Sequence, residues 1–313
     1  MAMVIVFGSL NIDLIMKVKH QPVVGETVLT QTYEWLPGGK GCNQAVACSR
    51  SGIKTAMVGQ VGDDGFGTRI INTLKKDDVL ASGVARHESE PTGMAFITID
   101  GNKDNQIVVA SGANFATSAD QVPNEILHAD NVALMQMELN YSENWDVIKR
   151  SKAAGAKTIL NLAPAGAVPR EALDDLDYLI VNQIEGRQMA EKMGLKIEDS
   201  AVALAKRLAA EADLICVMTL GPAGCIAMKP DGTGWKINAV DVGEDLLDTT
   251  GAGDTFCGVF AGCVFKKMSL QDTLRRSSVA ASLACRGVGA QTKMPYQDEI
   301  EENLDLIAPA EKI

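Results

Sequence analysis

Residues 178–220 read YLIVNQIEGRQMAEKMGLKIEDSAVALAKRLAAEADLICVMTL, and they decide the fold class. The stretch begins and ends with apolar runs, residues 178–181 and 214–220, which are nearly continuous in Val, Ile, Leu and Met. A strand that is buried on both faces has this composition, whereas a strand with one wet face alternates. Two helix-like segments, residues 184–193 and 201–212, separate the runs, so we predict a strand–helix–strand unit of a parallel sheet.

The same alternation of apolar runs and helical segments continues on both sides of this unit. Further strands are predicted at residues 4–7, 55–58, 132–137 and 158–162, and further helices at residues 43–51, 67–76 and 145–154. Residues 255–267 and 270–286 then predict two consecutive helices, and no linker rich in Gly, Ser or Pro precedes them. We therefore expect one α/β domain over residues 1–313, with a mostly parallel sheet that helices cover on both faces.

Four other segments alternate between apolar and polar residues. Residues 11–19 and 27–35 form one candidate hairpin, and residues 93–100 and 106–111 form another. Alternation indicates one wet face and one covered face. The four segments predict a small second sheet, which is either a flap over a ligand or an ordinary pair of edge hairpins.

The composition limits the partners of this chain. There are 40 Asp and Glu against 29 Lys and Arg, a net charge of −11, so most of the surface repels nucleic acid and anionic lipid, although a local pocket can still bind an anion. No apolar run approaches the roughly 18 residues that a membrane span needs. The seven cysteines are odd in number and include no Cys-x-x-Cys, which favours reduced thiols over disulfides or metal ligands. We expect a cytoplasmic protein that binds neither nucleic acid nor membrane.

The segment DTTGAGDTF, residues 248–256, directly precedes an apolar helix. Small residues let the backbone approach a ligand, and the first N–H groups of a helix favour an anion, so Gly251, Ala252 and Gly253 form a candidate phosphate site. Asp254 would repel a phosphate, yet it could accept the proton of a hydroxyl that attacks one. The alternative is that Asp254 only caps the helix, a role for which aspartate is preferred.

A second glycine-rich segment, PGGKGCNQA at residues 37–45, also opens a helix. It combines close backbone approach with Lys40 and Asn43 as donors to hydroxyl groups, and it lacks the spacing of a P-loop. The alternative is a glycine-rich turn with a solvated lysine.

Two pairs of polar residues follow predicted buried strands. Asn11 and Asp13 point to the same side of an extended chain, where they could bind neighbouring hydroxyls of a sugar or form a turn. Asn182 and Glu185 share a helix face and could hold waters around Mg²⁺ or form a capping box. The loop at residues 219–224 could lie along a nucleotide, although by itself it predicts only a turn.

In their order and spacing these segments resemble the PfkB (ribokinase-like) carbohydrate kinase family over nearly the whole chain. Residues 38–45 match the first signature of that family, and residues 248–258 match the second, more specific one. The segment GGKGCNQA, the Asn-x-Asp at residues 11–13 and the QME at residues 136–138 are most similar to the ribokinase branch.

The resemblance implies a three-layer α/β/α core with a small β-sheet lid, inserted in two pieces at about residues 13–36 and 93–111. It also implies ATP-dependent phosphorylation of the primary hydroxyl of a small sugar, which in the nearest branch converts D-ribose to D-ribose 5-phosphate. The residues that would hold the sugar are Asn11, Asp13, Gly39, Lys40, Gly41, Asn43 and Glu138. Those that would hold ATP are Asn182, Thr219, Gly221, Gly224, Gly253 and Ser278, with Asn182 and Glu185 acting near Mg²⁺ through water. Gly251, Ala252 and Gly253 would donate N–H groups to the transferring phosphoryl group, and Asp254 would be the general base.

The same branch binds a monovalent cation, normally K⁺, and forms dimers through the lid, so the resemblance also implies a K⁺ site and a homodimer. The matching K⁺ positions are Asp248, Thr250, Ala284, Gly287, Gly289 and Lys293. Lys293 departs from the pattern, which has a serine there, and we therefore expect a weaker dependence on K⁺.

Two other functions remain open at this point. One is a PfkB kinase for another sugar or for a nucleoside, and the other is a non-catalytic sugar-binding regulator that kept the fold. The intact Asp254 and the Gly-Ala-Gly before it argue against a regulator, which could lose both. A Rossmann oxidoreductase is disfavoured because its glycine fingerprint is absent after the first strand.

Overall fold

The apolar runs form the strands of a ten-stranded sheet, in a computed structural model that describes residues 1–102 and 104–313. The strands in these described residues are β1 (Val4–Phe7), β2 (Asn11–Lys17), β3 (Tyr33–Gly38), β4 (Thr55–Gly62), β5 (Leu80–His87), β6 (Gly93–Ile99), β7 (Asn105–Ala110), β8 (Val132–Met135), β9 (Lys157–Asn161), β10 (Tyr178–Asn182), β11 (Ile215–Thr219), β12 (Cys225–Met228), β13 (Gly234–Ile237) and β14 (Glu311–Lys312). The helices are α1 (Lys40–Arg50), α2 (Gly65–Lys76), α3 (Tyr141–Ala153), α4 (Arg170–Asp174), α5 (Gln183–Lys192), α6 (Ala201–Ala212), α7 (Ala252–Phe265), α8 (Leu270–Ala284) and α9 (Gln297–Glu302).

The strand order of the large sheet is β14-β13-β12-β11-β10-β9-β8-β1-β4-β5. All neighbours from β11 to β5 pair in parallel, whereas β12, β13 and β14 extend the sheet in antiparallel fashion. The prediction of a mostly parallel sheet is confirmed. The antiparallel extension was not predicted from the sequence, and its last two strands, GWKI and EK, contain charged residues and so form no apolar run.

Helices cover both faces of the sheet, so successive residues of a central strand are buried on opposite sides. In β1, Val4 and Val6 belong to the apolar cluster that includes residues of α1, α2, α7 and α8. Ile5 and Phe7 belong to the cluster on the other face, with residues of α3, α5 and α6. All four side chains are fully buried, which explains the uninterrupted apolar run.

The alternating segments form a separate four-stranded sheet in the order β3-β2-β6-β7. β2–β3 and β6–β7 are antiparallel pairs, and β2 joins them by pairing with β6 in parallel. The second strand was predicted at residues 27–35, but β3 begins at Tyr33 and includes Pro37. Leu29 is 88% exposed, so the alternation before Tyr33 reflects no buried face, and Pro37 is tolerated because β3 is an edge strand. Lys103, which falls inside the second predicted lid piece, lies outside the described residues.

Helices α1 and α7 each begin three residues earlier than predicted, at Lys40 and Ala252. In both segments the glycines suggest a turn, yet Gly41 and Gly253 already have helical backbone. The two helices also pack closely, because a Cβ on Gly258 of α7 would collide with the Gln44 carbonyl of α1. The early starts and the close packing bring the first turns of the two helices together.

Within the described ranges, no helix has the length and apolar character needed to cross a membrane.

Candidate active site

The N-terminus of α7 is shaped by a glycine and open to a ligand. Gly251 is the N-cap with φ 79°, and a Cβ there would lie 2.6 Å from Ala290 Cα. No side chain caps the helix, and a Cβ on Gly253 would meet open space. The N–H of Ala252 already donates to the Thr249 carbonyl at 3.2 Å, so this donor is shared. Such a turn suits an anion.

Asp254 is the third residue of α7, and Gly251 occupies the cap, so the alternative in which Asp254 only caps the helix is wrong. Its carboxylate contacts helix α1 instead. Asn43 Nδ2 donates to Asp254 Oδ2 at 2.9 Å, and Gln44 Nε2 donates to Asp254 Oδ1 at 2.9 Å. The carboxylate is thus fixed by two amides from the other glycine-rich segment.

Further buried amides surround this contact, and only one of them, Gln136, belongs to a sequence motif quoted above, the QME at residues 136–138. Gln44 also bonds to Asn161 and Gln136, and Gln291 bonds to Asn43. These partners lie 92 to 248 residues from Asn43 or Gln44 along the chain, so no local spacing could reveal them. The signals in the sequence were the motifs that contain Gln44 and Gln136, but neither motif shows that the two side chains meet.

Strand β2 supplies the next part of the site. Asn11 is 3% exposed, and its Oδ1 accepts a hydrogen bond from Asn114 Nδ2 at 2.7 Å. Asp13 lies against Gly38 of β3, where any Cβ would collide with its carboxylate. Gly39 follows with φ 87°, and a Cβ there would lie 2.8 Å from Asn11 N. The glycines therefore let the two polar side chains of β2 reach the start of α1.

Glu138, after β8, occupies the N-terminus of α1. Its Oε2 accepts from Lys40 N at 3.0 Å and from Ser9 Oγ at 2.6 Å, while its Oε1 lies 3.8 Å from Lys40 Nζ. Ser9 Oγ in turn accepts from Gly41 N at 3.3 Å. The predicted sugar residues Asn11, Asp13, Gly39, Lys40, Gly41, Asn43 and Glu138 are therefore all brought to one place.

This place is rich in carboxylates and contains one ammonium group. Burial, followed by the charges of Glu138 and Asp254, raises the pKa of Asp13 to about 7, and Lys40 opposes this shift. The charge of Asp254 is the main cause that raises the pKa of Lys40, burial opposes it, and Glu138 and Glu185 add to the rise. Lys40 is therefore held as a cation among four acidic side chains.

Asn182 and Glu185 form a capping box at the start of α5. Asn182 Oδ1 accepts from Glu185 N, and Glu185 Oε2 accepts from Asn182 N, both at 2.8 Å. The alternative weighed from the sequence is thus present, but both residues also line the cavity that contains Asp254. Burial is the main cause that raises the pKa of Glu185.

Two cavities meet at Gly253 and Thr219. The smaller one, of about 180 Å³, is lined by Lys40, Asp254 and Glu185 among others. The larger one, of about 630 Å³, lies between the end of β11, α7 and α8. The predicted ATP residues Thr219, Gly221, Gly224, Gly253 and Ser278 line the larger cavity, and Asn182 lines the smaller one. Residues 239–243 also line the larger cavity, and no motif in the sequence marked them.

Hydrogen bonds join three of the predicted K⁺ residues, Asp248, Thr250 and Gly289. Asp248 Oδ1 accepts from Thr250 N at 2.9 Å and from Thr250 Oγ1 at 2.7 Å, and Asp248 Oδ2 accepts from Gly289 N at 2.9 Å. Burial would raise the pKa of Asp248, but the N–H of Gly289 and the donors of Thr250 outweigh it and lower that pKa. The Lys293 side chain packs against Gly287, and Ala284 ends α8.

Comparisons with known proteins agree with this geometry. The pfkB family carbohydrate kinase model matches residues 1–297. The ribokinase of Lactococcus lactis subsp. lactis is 33% identical over 307 residues, which cover 97% of this chain and 97% of the relative. The ribokinase of Bacillus subtilis is also 33% identical, over 96% of this chain and 98% of the relative.

Solved structures give the same result. A ribokinase from Thermotoga maritima has a TM-score of 0.88 at 27% identity, over 97% of this chain and all of that chain. An Arabidopsis thaliana ribokinase solved with ribose and ATP has a TM-score of 0.87 at 29% identity, over 97% of this chain and 99% of that chain. The three-layer core, the small second sheet and the two signatures therefore have one explanation: this chain belongs to the pfkB family of carbohydrate kinases.

Proposed function

We propose that this chain transfers the γ-phosphoryl group of ATP to the primary hydroxyl of D-ribose and releases D-ribose 5-phosphate. The observation that carries the proposal is that Asp254 lines the small polar cavity beside Gly253, which also lines the large one. A base at the junction of a small and a large pocket suits phosphoryl transfer between two ligands. The relatives named ribokinase, and the neighbour solved with ribose and ATP, support these substrates.

In this proposal the sugar lies between β2, the start of α1 and Glu138. Lys40 and the amide nitrogen of Asn11 would donate to hydroxyl oxygens, and Asp13 and Glu138 would accept from hydroxyl groups. Gly39 and Gly41 would allow the close approach of the backbone. The concentration of carboxylates favours a ligand with many hydroxyls over an apolar base.

Asp254 acts as the general base: its carboxylate takes the proton of the primary hydroxyl as the hydroxyl oxygen bonds to the γ-phosphorus, and the bond from that phosphorus to the β–γ bridging oxygen breaks and releases ADP. Because the transition state of phosphoryl transfer is loose, positioning and charge stabilisation dominate catalysis. The N–H groups at Gly251, Ala252 and Gly253 would face the transferring group, with Gly253 contributing most because Ala252 already bonds to Thr249. One such donor is worth about 3 kcal/mol, and a general base about 10²–10⁴-fold.

The large cavity is proposed to hold ATP, with Ser278 near the base and residues 219–224 along the nucleotide. Mg²⁺ would neutralise charge on the phosphates. Asn182 and Glu185 suit it as water-mediated partners, because Glu185 lines the small cavity and only its Oε2 is bonded to Asn182. Within residues 1–102 and 104–313, no group of three metal-ligating side chains could hold a metal alone, which suits an ion bound through water and phosphate.

Potassium is proposed to act more weakly here than in related enzymes. Asp248 already accepts three hydrogen bonds from Thr250 and Gly289, and the Lys293 stem packs on Gly287. An ammonium group close by could partly replace a monovalent cation. Lys293→Ser should therefore increase the activation by K⁺, and rates unchanged at every K⁺ concentration would contradict this role.

We further propose that the four-stranded sheet is a lid, formed by residues 13–36 and 93–111 within a single kinase domain of residues 1–313. It carries Asp13 to the sugar and would exclude water when it closes. Two copies would pair through this lid, because β7 is an edge strand on which Ile107, Val108 and Val109 are 53%, 68% and 48% exposed. A monomeric mass in sedimentation at micromolar concentration would contradict the homodimer.

The cytoplasm is the proposed location of this reaction. All seven cysteines are buried and unpaired, which agrees with a compartment that keeps thiols reduced.

A coupled assay of ADP release across pentoses, hexoses and nucleosides, in K⁺ and in Na⁺, tests the function. ADP production that is much faster with ribose than with its epimers or with nucleosides supports the proposal. Faster turnover of another sugar or a nucleoside would replace the substrate, and tight ribose binding without turnover would indicate a regulator.

A further inference from the structure

A chain of buried amides leads away from Asp254 into the core. Gln44 is fully buried, and it bonds to three groups: Asp254 Oδ1 and Asn161 Oδ1 accept from its Nε2, each at 2.9 Å, and its Oε1 accepts from Gln136 Nε2 at 2.8 Å. A buried amide is costly unless it is bonded, and here both ends of the Gln44 amide are used. An apolar side chain would fill the same space without these bonds.

The orientation of the Gln44 amide is determined by groups that can only accept, namely the Asp254 carboxylate and, through Asn161, a backbone carbonyl. Asn161 Nδ2 donates to the Ile180 carbonyl at 3.3 Å, and a carbonyl can only accept. Asn161 must therefore present its oxygen to Gln44, and Gln44 must present its NH₂ group. The same NH₂ group then faces Asp254, while the Gln44 oxygen accepts from Gln136.

The second oxygen of Asp254 is held by a parallel arrangement. Gln291 Nε2 donates to Asn43 Oδ1 at 2.8 Å, which turns Asn43 Nδ2 toward Asp254. The Gln291 backbone is fixed in turn by Arg50, whose Nη1 donates to the Gln291 carbonyl at 2.7 Å. Each carboxylate oxygen thus receives one amide N–H and keeps a lone pair for a substrate.

Holding this carboxylate matters because a competing partner is near. Lys40 and Asp254 line the same small cavity, and the charge of Asp254 is the main cause that raises the pKa of Lys40, yet Lys40 Nζ pairs with Glu138 at 3.8 Å rather than with Asp254. A carboxylate free to rotate about its side-chain bonds would move toward the ammonium group. An ion pair of that kind would aim the base away from the hydroxyl.

We propose that Gln44 is a positioning residue that fixes the plane of the Asp254 carboxylate for proton abstraction and keeps it from pairing with Lys40. This role rests on the proposed function, in which Asp254 is the base. Gln44 is fully buried and therefore has no surface for the sugar, which it influences only through Asp254. Gln136 and Asn161 support Gln44 by setting its orientation.

Two variants of similar size test this role. Gln44→Met removes the donor without adding charge, and Gln44→Glu replaces the donor with an acceptor beside Asp254 Oδ1. Asn131→Asp is the matched control, because Asn131 is 1% exposed and, like Gln44, uses both ends of its amide away from the site: its oxygen accepts from Met3 N at 2.9 Å and its nitrogen donates to the Ile126 carbonyl. Turnover is measured per mole of folded protein, with KM for ribose, ribose binding by calorimetry, and the dependence of kcat on pH.

For Gln44→Met we expect kcat to fall about 10- to 100-fold, as a misplaced catalytic group does, while ribose affinity stays near that of the natural chain. For Gln44→Glu we expect a similar loss, and the acidic limb of the kcat–pH profile should move up by about one unit or more because two carboxylates then share the site. The charged neighbours Lys40, Asp13, Glu138 and Glu185 are the same in all variants. Asn131→Asp should keep both kcat and the position of the limb.

Failure of this inference and failure of the proposed function give different results. If the natural chain turns over ribose and Asp254→Asn does not, but Gln44→Met keeps natural kcat, the positioning role is wrong and the function stands. If the variants lose ribose affinity as much as they lose kcat, and the acidic limb of the kcat–pH profile of Gln44→Glu stays at its natural position, the role of Gln44 is merely structural. If Gln44→Glu fails to fold, Gln44→Met still decides the question through kcat against ribose affinity. Absence of turnover in the natural chain would contradict the function itself.

Discussion

The two glycine-rich helix starts, at α1 and at α7, have similar sequences, but the anion position is filled by a side chain at one and open at the other. At α1, the protein fills the anion position itself: Glu138 accepts from Lys40 N, and Ser9 accepts from Gly41 N. At α7, no side chain caps the helix, and the space beside Gly253 is open. A glycine-rich turn before a helix therefore indicates an external anion only where the protein supplies none.

The difference assigns separate tasks to the two helices. With its own carboxylate in place, the start of α1 suits a neutral, hydroxyl-rich ligand, whereas the start of α7 suits a phosphate. Asp254 belongs to α7 but is held by Asn43 and Gln44 of α1, so the proposed base is fixed between the two helices.

The largest effect should come from Asp254, the residue that joins the starts of α1 and α7. Asp254→Asn keeps the size of the side chain but cannot accept a proton, so kcat should fall about 10²–10⁴-fold. Ribose binding by calorimetry should stay near that of the natural chain, while the thermal midpoint should fall by a few degrees because the new NH₂ group faces the amide donor of Asn43 or Gln44. Near-normal turnover would show that proton abstraction does not depend on Asp254.

Substitution by alanine should have different effects at the two helix starts, because the start of α7 at Gly253 is open and the start of α1 at Gly41 is filled by the protein. A Cβ on Gly253 enters open space where the phosphate is expected, so Gly253→Ala should lower kcat/KM for ATP about 10-fold without loss of stability. A Cβ on Gly41 would lie 2.6 Å from Ser9 N, so Gly41→Ala should lower the free energy of unfolding by about 1–3 kcal/mol. Steady-state kinetics and denaturant titrations check both, and the same outcome at both glycines would remove the distinction.

Glu138→Gln tests whether the filled anion position serves the sugar. The charge-assisted bonds from Lys40 and Ser9 weaken, and each is worth about 1.5–3 kcal/mol, so KM for ribose should rise about 10-fold or more. KM for ATP should change little because Glu138 does not line the large cavity. Equal increases in KM for ribose and KM for ATP would contradict the expectation that Glu138 acts on sugar binding alone.

The smallest effect is a dependence of stability on pH at Asp13. In the folded chain the pKa of Asp13 is raised to about 7 from 3.8, chiefly by burial, so the folded state keeps a proton that the unfolded chain has lost. Between pH 4 and pH 7, rising pH therefore favours unfolding at this residue.

Asp13→Asn removes this dependence. Its stability relative to the natural chain should increase with pH, on the order of 1 kcal/mol from pH 5 to pH 8, and level off above that range. Urea titrations at several pH values measure the difference. If the free energies of unfolding of the natural chain and of the variant differ by the same amount at every pH in this range, ionisation of Asp13 does not destabilise the folded state.

The sequence predicted the parallel core and the order of the site segments because those features are local. The apolar run of β1 predicts burial on both faces, and the motif at residues 248–256 predicts an open helix start. What it could not predict depends on contacts between distant residues. Gln44 meets Asn161 and Gln136 only after folding, and the filling of the α1 start by Glu138 joins residues 98 apart.

The boundary of β3 shows another limit of local patterns. Residues 27–32 alternate as a strand would, but they lie outside any strand, and the true strand contains Pro37. Periodicity indicates a wet and a covered face only when a neighbour is present to cover it.

The central claim is that Asp254, held between the two helix starts, drives phosphoryl transfer from ATP to the primary hydroxyl of ribose. Phosphorus NMR of a mixture of ATP, Mg²⁺ and ribose tests it most directly, with the natural chain and Asp254→Asn in parallel. We predict growth of the ribose 5-phosphate signal with the natural chain and almost none with the variant. A phosphate at another carbon, inorganic phosphate alone, or equal growth in both samples would contradict the claim.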